Sequence, residues 1–481
     1  MRENNETMIQ MFEWYLPEDG TFWTTIVEQS EILKELGITK VWLPPAYKGA
    51  QGIHDVGYGV YDMYDLGEFD QKGTIPTKYG TKDMYLKAVQ ALHKQGMEVL
   101  ADVVFNHRMG ADEKETVLAV EDSIENRNQA ISGEKEVEVW TKFTFPNRKG
   151  KYSDFTWNVS HFDGTDWDER EKRSGVYLFH GKQWDQNVDG EHGNYDYLMG
   201  ADLDIDNEEV REELLRWGKW YFETTKVDGV RLDAVKHIGA PFYGEWLEQM
   251  RSLQKTDFFA VGEYWSADLG ALQYYLEKSG HSMRLFDVPL HFHFYRCAGS
   301  NGSFDMRTMW KDTLTGTDAS HSVAFVDNHD TQPGQALCSF VMEWFKPLAY
   351  GMILLRKDTI PCVFYGDLYG IAHDGLSPVK GLEQMLRIRK NNLYGEQHDY
   401  MDDAHCIGWT FEGEEKETAV AVILTNECAA EKRMYVGTQH AGEIYRDLLK
   451  NRSDEIEIDE SGYGNFRVEG GSISVYCTFA H

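Results

Sequence analysis

The sequence predicts an α/β protein: a (β/α)8 TIM barrel, a subdomain inserted after its third strand, and a C-terminal antiparallel β-sandwich domain. Three observations predict it. Short apolar, β-prone runs alternate with helical periodicity over most of the chain, and eight candidate strands can be counted, each followed by a helix or a long insertion. The stretch 106–202 breaks that rhythm, being rich in Asp, Gly and aromatic residues. From about Tyr394 the chain becomes β-prone without helical periodicity. Continuous apolar strands in repeated βα units argue for a parallel sheet covered on both faces, and eight such units favour closure into a barrel.

In order, the strands are expected at Met8–Tyr15, Lys40–Pro44, Glu98–Val104, Gly229–Asp233, Phe258–Glu263, Leu285–Val288, Val323–Val326 and Cys362–Tyr365. Helices are expected at Phe22–Leu36, ending at Gly37, and at Asp83–Gln95, stopped by Gly96. Three more follow at Glu208–Thr225, Phe242–Leu253 and Leu269–Lys278. The tail carries β-prone stretches at Thr418–Leu424, Ile444–Asp447 and Ser472–Phe479. The expected domains are barrel at 1–105 and 203–393, insertion at 106–202, and C-terminal domain at 394–481.

The 481 residues include 80 Asp or Glu against 48 Lys or Arg, a formal charge of −32 that makes nucleic acid a poor partner. With 42% hydrophobic residues the chain can bury a large core, which excludes intrinsic disorder. Six dispersed cysteines with no C-x-x-C spacing exclude zinc-finger and redox motifs and suit a reducing compartment. No apolar run reaches membrane-spanning length, and the N-terminal segment lacks a signal-peptide apolar region. A cytoplasmic monomer without membrane or nucleic-acid partners is expected, or a secreted one if a leader has been removed.

Barrel chemistry sits at the C-terminal ends of strands. The third strand ends in DVVFNH, the fourth in GVRLDAVKH, the fifth in VGEYW and the seventh in FVDNHD. Three carboxylates, Asp233, Glu263 and Asp330, thus come from three strand ends, with Arg231, His107 and His329 nearby. Clustered carboxylates repel one another, so a fold keeps them where charge is used. Two carboxylates about 5 Å apart can cleave a glycosidic bond with retention of configuration. Asp233 suits the nucleophile because Arg231 would keep it ionised. Glu263, beside Tyr264 and Trp265, suits the acid in apolar surroundings. Asp330 would stabilise the oxocarbenium charge or hold sugar hydroxyls.

These four segments resemble, in order and spacing, the signature regions of the α-amylase family of glycoside hydrolases. MFEWY, DVGYGVYDMYDLGEF, HFDGTDWDE, NYDYLMGADLDID and DNHDTQPGQ resemble the bacterial liquefying α-amylases, and six cysteines suit an intracellular member. The resemblance implies Asp233 as nucleophile, Glu263 as acid/base and Asp330 as transition-state stabiliser. It implies substrate binding by Tyr58, His107, Arg231, Lys236, His237, Trp265 and His329. The implied reaction is internal hydrolysis of α-1,4-glucosidic bonds in starch, glycogen or maltodextrins through a covalent glycosyl-enzyme. Exo-acting or oligosaccharide-forming hydrolases and transglycosylases of the same family are the alternative. A non-catalytic barrel serving as a transporter subunit would lack the carboxylates, and an amidohydrolase would need a His-x-His where Phe12-Glu13-Trp14 stands.

The insertion and its exit hold Asp163, Asp185, Asp196, Asp202, Asp204 and Asp206, a density of hard oxygen donors that suits Ca2+. By resemblance, Asn106, Asp196, Asp202 and the His237 carbonyl form the family's shared calcium site. Asp163, Asp185, Asp204 and Asp206, with Gln183 nearby, match an additional cluster with room for a second calcium and a sodium ion. Relatives also bind calcium between barrel and tail. Here Ala404, His405 and Asn426 stand where ligands would be, and that site is expected to be absent.

Overall fold

The structure, a computed structural model, describes residues 5–254, 258–357, 360–414 and 419–478. Eight parallel strands form a closed barrel in sequential order. They are β1 (Met8–Gln10), β2 (Lys40–Trp42), β3 (Glu98–Val103), β4 (Gly229–Leu232), β5 (Phe259–Gly262), β6 (Arg284–Phe286), β7 (Ser322–Phe325) and β8 (Ile360–Phe364). The expected strands all form, each ending one to five residues earlier than expected, and the last three also begin one or two residues earlier, at Arg284, Ser322 and Ile360. Every residue of β1, β2, β4, β5, β7 and β8 is buried, so these short runs show no alternation of apolar and polar residues. Their few polar members, Gln10, Lys40, Arg231 and Ser322, are buried with the rest. At the start of β4, a side chain on Gly229 would lie 2.3 Å from the Phe259 carbonyl, so the close pairing of β4 with β5 requires glycine there.

Helices Phe22–Leu36, Glu208–Thr225 and Leu269–Lys278 form with the expected bounds, and Lys82–Lys94 and Ala240–Gln254 lie within two residues of theirs. Asn207 caps the second of these by accepting from Glu209 N, and Asp268 caps the third by accepting from Gly270 N. Five further helices are described, Val288–Ala298, Leu314–Thr317, Lys346–Leu354, Tyr365–Tyr369 and Leu382–Asn392, and the first of them corrects an expected strand end. Val288, read as strand, begins the helix Val288–Ala298, capped by Asp287 with proline in the first turn.

Two compact units make up the chain: Leu16–Ser30 with Val41–Leu285, and Met1–Tyr15 with Glu31–Lys40 and Phe286–His481. In the first, the inserted stretch is a six-stranded sheet in the order His107–Arg108, Ala201–Leu203, Phe162–Asp168, Arg173–Phe179, Glu113–Asp122, Lys135–Lys142. The pairing of Asp202 with His107 brings the insertion's exit back beside its entry. In the second unit, the tail forms a six-stranded sheet and the two-stranded ladder Ala430–Tyr435 with Tyr463–Val468. Ala421, Ile423 and Tyr476 of the sheet share a core with Met434, Phe466 and Val468 of the ladder, the sandwich expected from sequence. Its strand Val420–Thr425 runs one residue past the expected Thr418–Leu424, and Ser472–Cys477 falls within the expected Ser472–Phe479; the outer ends Thr418 and Phe479 lie outside the described residues.

Candidate active site

Register builds the first cluster. Arg231 is the Cα partner of Asp102 on β3 and of Val261 on β5, and Leu232 is the partner of Gly262. Asp233 and Glu263 therefore leave neighbouring strands at the same level. Residues two apart share a face of a strand, so Arg231 lies on the face of Asp233. Its Nη1 donates to Asp233 Oδ1 at 2.6 Å and to Asp102 Oδ1 at 2.9 Å, while Nη2 donates to Glu263 Oε2 at 2.5 Å. One fully buried guanidinium thus holds both carboxylates. Glu263, expected among apolar neighbours, instead meets this cation and also accepts from Ala234 N at 3.4 Å. Ala234 has φ 47°, a left-handed conformation costly for a residue with a side chain and typical of strained functional turns.

Asp102 is the residue that sequence reasoning missed. Its second oxygen accepts from Trp42 Nε1 at 2.9 Å and from the Tyr58 hydroxyl at 2.8 Å. It therefore fixes Arg231 and the Tyr58 ring together. His107 Nε2 lies 2.8 Å from the Tyr58 carbonyl, and burial lowers the pKa of its ring. Lys236 donates to Glu191 at 2.9 Å and to the Trp265 carbonyl at 3.2 Å, which joins two of the expected binding residues. His237 Nδ1 contacts the Tyr195 carbonyl at 2.6 Å, and burial pushes the pKa of its ring down to about 3.

In the second unit, the end of β7 presents His329 and Asp330. The Gln10 amide nitrogen lies 2.8 Å from His329 Nδ1, which leaves the ring proton on Nε2, 3.3 Å from Asp330 Oδ2. The imidazole stacks on Trp14, with ring centroids 6.0 Å apart and planes at 10°.

The aspartates of the insertion form two groups sharing Asp163. Oxygens of Asp163, Asp196 and Asp202 lie within 4.8 Å of one another, and so do those of Asp163, Asp185 and Asp204. Burial and then mutual repulsion push Asp163 up to about 9 and Asp185 to about 8, and the same causes raise Asp196 and Asp202. Asn106 Oδ1, Asp163 Oδ2 and Asp202 Oδ2 are buried with no hydrogen-bond partner among the described residues. Unpaired buried carboxylate oxygens beside an amide oxygen are the donor set of a hard divalent cation, so these residues fit calcium. Asp206 and Gln183 are exposed; Asp206 lies outside both acidic groups, though its charge raises Asp163 and Asp185. In the other unit, Asn426 donates its amide to the Phe304 carbonyl at 2.9 Å.

A closed barrel with paired carboxylates on one arginine holds the groups that a barrel glycoside hydrolase requires. Comparison with known proteins narrows that class. The model of the α-amylase catalytic domain matches residues 17–412, and that of the α-amylase C-terminal domain matches 420–477. An α-amylase of Geobacillus stearothermophilus is 54% identical, covering 98% of this chain and 87% of its own length. A glucan 1,4-alpha-maltohexaosidase of a Bacillus strain is 48% identical, covering 98% of this chain and 92% of the relative. The cytoplasmic α-amylase of Escherichia coli is 41% identical, with 98% of both chains covered. The crystal structure of an Anoxybacillus α-amylase shares the fold, with a TM-score of 0.65 over 98% of this chain and 97% of that one at 18% identity. The chain belongs to the α-amylase family and is a glycoside hydrolase.

Proposed function

We propose that this enzyme cleaves internal α-1,4-glucosidic bonds of starch, glycogen or maltodextrins with retention of configuration. The observation that carries the reading is the pair Asp233 and Glu263 on the two terminal nitrogens of Arg231. Asp233, oriented by the guanidinium, attacks the anomeric carbon while Glu263 protonates the departing glycosidic oxygen. A covalent glycosyl-enzyme forms on Asp233. Glu263, now a carboxylate, takes a proton from water, which displaces Asp233 by attacking from the face the leaving chain vacated, opposite Asp233. Asp330 stabilises the oxocarbenium charge, with His329, His107, Tyr58 and Trp265 holding the sugars. The Lys236 ammonium and His237 flank the leaving chain.

Calcium would be held by Asn106, Asp196, Asp202 and the His237 carbonyl, and a second ion, with sodium, by Asp163, Asp185 and Asp204, Asp206 and Gln183 lying at the rim. The ion supplies charge compensation that ties the segments of the insertion together. The division into barrel (1–105 and 203–393), insertion (106–202) and tail (394–481) is supported by the sheet memberships. A cytoplasmic enzyme is supported by six free cysteines and by the Escherichia coli relative, and we propose that it acts as a monomer. Among the described residues no helix is long and apolar enough to cross a membrane.

Product anomericity by NMR tests the mechanism. The α-anomer should appear first, and an initial β-anomer overturns it. The maltohexaosidase relative favours a second reading, release of oligosaccharides of fixed length. Digestion of end-blocked maltoheptaose separates the two: internal cutting yields several fragment sizes, whereas an exo-acting enzyme leaves the blocked substrate intact.

A further inference from the structure

We propose that Lys346 and Asp327 are positioning residues for His329 and Asp330, a role that rests on the hydrolase reading above. The turn after β7 runs Asp327-Asn328-His329-Asp330-Thr331. Asn328 Oδ1 accepts from the backbone nitrogens of Asp330 and Thr331, both at 2.9 Å. Thr331 Oγ1 accepts from Asn328 N at 3.0 Å and donates to Asp327 Oδ1 at 2.8 Å. The backbone that carries Asp330 is therefore pinned through Thr331 to the Asp327 carboxylate.

Asp327 is anchored in turn. Its Oδ2 lies 2.9 Å from Lys346 Nζ and accepts from Val341 N at 3.2 Å. Lys346 also donates to Asp367, in the helix Tyr365–Tyr369 after β8, and the other oxygen of Asp367 accepts from the Tyr350 hydroxyl at 2.6 Å. The ammonium lies 3.5 Å from the Phe340 ring centroid. The side chains of Lys346, Asp327 and Asp367 are 2%, 0% and 3% exposed. A buried ion triad is poor value as stabilisation, because desolvation consumes most of the attraction; its strength is that it admits one geometry. That geometry sets the height and angle of the turn. A displacement of about 1 Å at a reacting group costs on the order of a hundredfold in rate.

The triad is asymmetric, and this separates positioning from stability. Both carboxylates engage Lys346, but Asp327 alone is bonded into the turn bearing His329 and Asp330. On end-blocked maltoheptaose, Asp327→Asn and Lys346→Met should lower kcat by about tenfold to a hundredfold with KM within about twofold. Asp367→Asn should lower the melting temperature comparably to Asp327→Asn yet keep kcat within about threefold. Thr331→Val, which removes a single hydroxyl, should fold normally and lower kcat several-fold, so it decides the matter if the charge variants misfold. Equal kcat losses in Asp327→Asn and Asp367→Asn would reduce the triad to a stability element, and unchanged kcat in Asp327→Asn or Thr331→Val overturns the proposal. A wild-type enzyme inactive on α-glucans overturns the hydrolase reading and this one with it.

Discussion

Two buried carboxylate clusters stand within one compact unit and balance their charge in opposite ways. Asp102, Asp233 and Glu263 surround Arg231, a cation built into the chain. Among Asp163, Asp185, Asp196, Asp202 and Asp204, Lys182 donates to Asp204, Asp185 N to Asp196 at 2.7 Å and Asn106 Nδ2 to Asp202 at 3.4 Å. Burial and mutual repulsion still raise the pKa values of Asp163, Asp185, Asp196 and Asp202. The first cluster is complete as folded, and its carboxylates are oriented before any ligand arrives. The second is complete only with a cation from solution. The chemistry is thereby separated from the conditional part of the fold, and losing metal should loosen the insertion before it disturbs Asp233 and Glu263.

The largest effects should come from the first cluster. Asp233→Asn or Glu263→Gln should reduce starch hydrolysis by about four orders of magnitude or more, with the circular dichroism spectrum unchanged. Near-normal activity in either would break the assignment. Arg231→Met should abolish activity and also destabilise the protein by about 3–5 kcal/mol in urea titrations, because it strands three buried carboxylates. Calcium should not rescue it, since the missing charge is not at the metal cluster.

The sequence revealed Asp233, Glu263 and Asp330 because each ends an apolar run, where a charged residue interrupts the pattern. It could not reveal that Arg231 reaches Glu263 as well as Asp233, which depends on the register of Leu232 against Gly262. Asp102 was hidden for the opposite reason: it lies inside β3, and only cross-strand pairing turns it from an oddity into the support of Arg231 and Tyr58. The helix beginning at Val288 was overlooked although Asp287 and Pro289 are a capping residue and a first-turn proline, because apolar residues on both sides masked the boundary. In the metal region composition marked the aspartates but not their depth, and Asp206 and Gln183 prove exposed where Asp202 is buried.

The second cluster should respond to chelation. EDTA should lower the melting temperature, and calcium at about a hundred times its Kd should restore about 2.7 kcal/mol of stability. Asp202→Asn should abolish most of that response while leaving residual activity at low temperature. An unchanged melting curve after EDTA, with no metal found by elemental analysis, would leave the aspartate cluster as a neutral, protonated core.

The smallest effect lies where a carboxylate is neither dry nor metal-bound. Glu68 is a quarter exposed and meets Lys82 at 2.9 Å, Tyr152 at 2.7 Å and Lys151. Partial burial raises its pKa, but the hydrogen bonds from Lys151, Lys82 and Tyr152 outweigh this and bring it down to about 2. Its folded value lies below its unfolded value of about 4.3, so its stabilisation is present above that pH and is lost as pH falls through about 2. Solvent screening limits it to under about 1 kcal/mol. Glu68→Gln should therefore lower stability slightly at pH 7, less at 1 M salt, and not at pH 2. A loss that persists at pH 2 would assign the effect to packing of the side chain rather than to its charge.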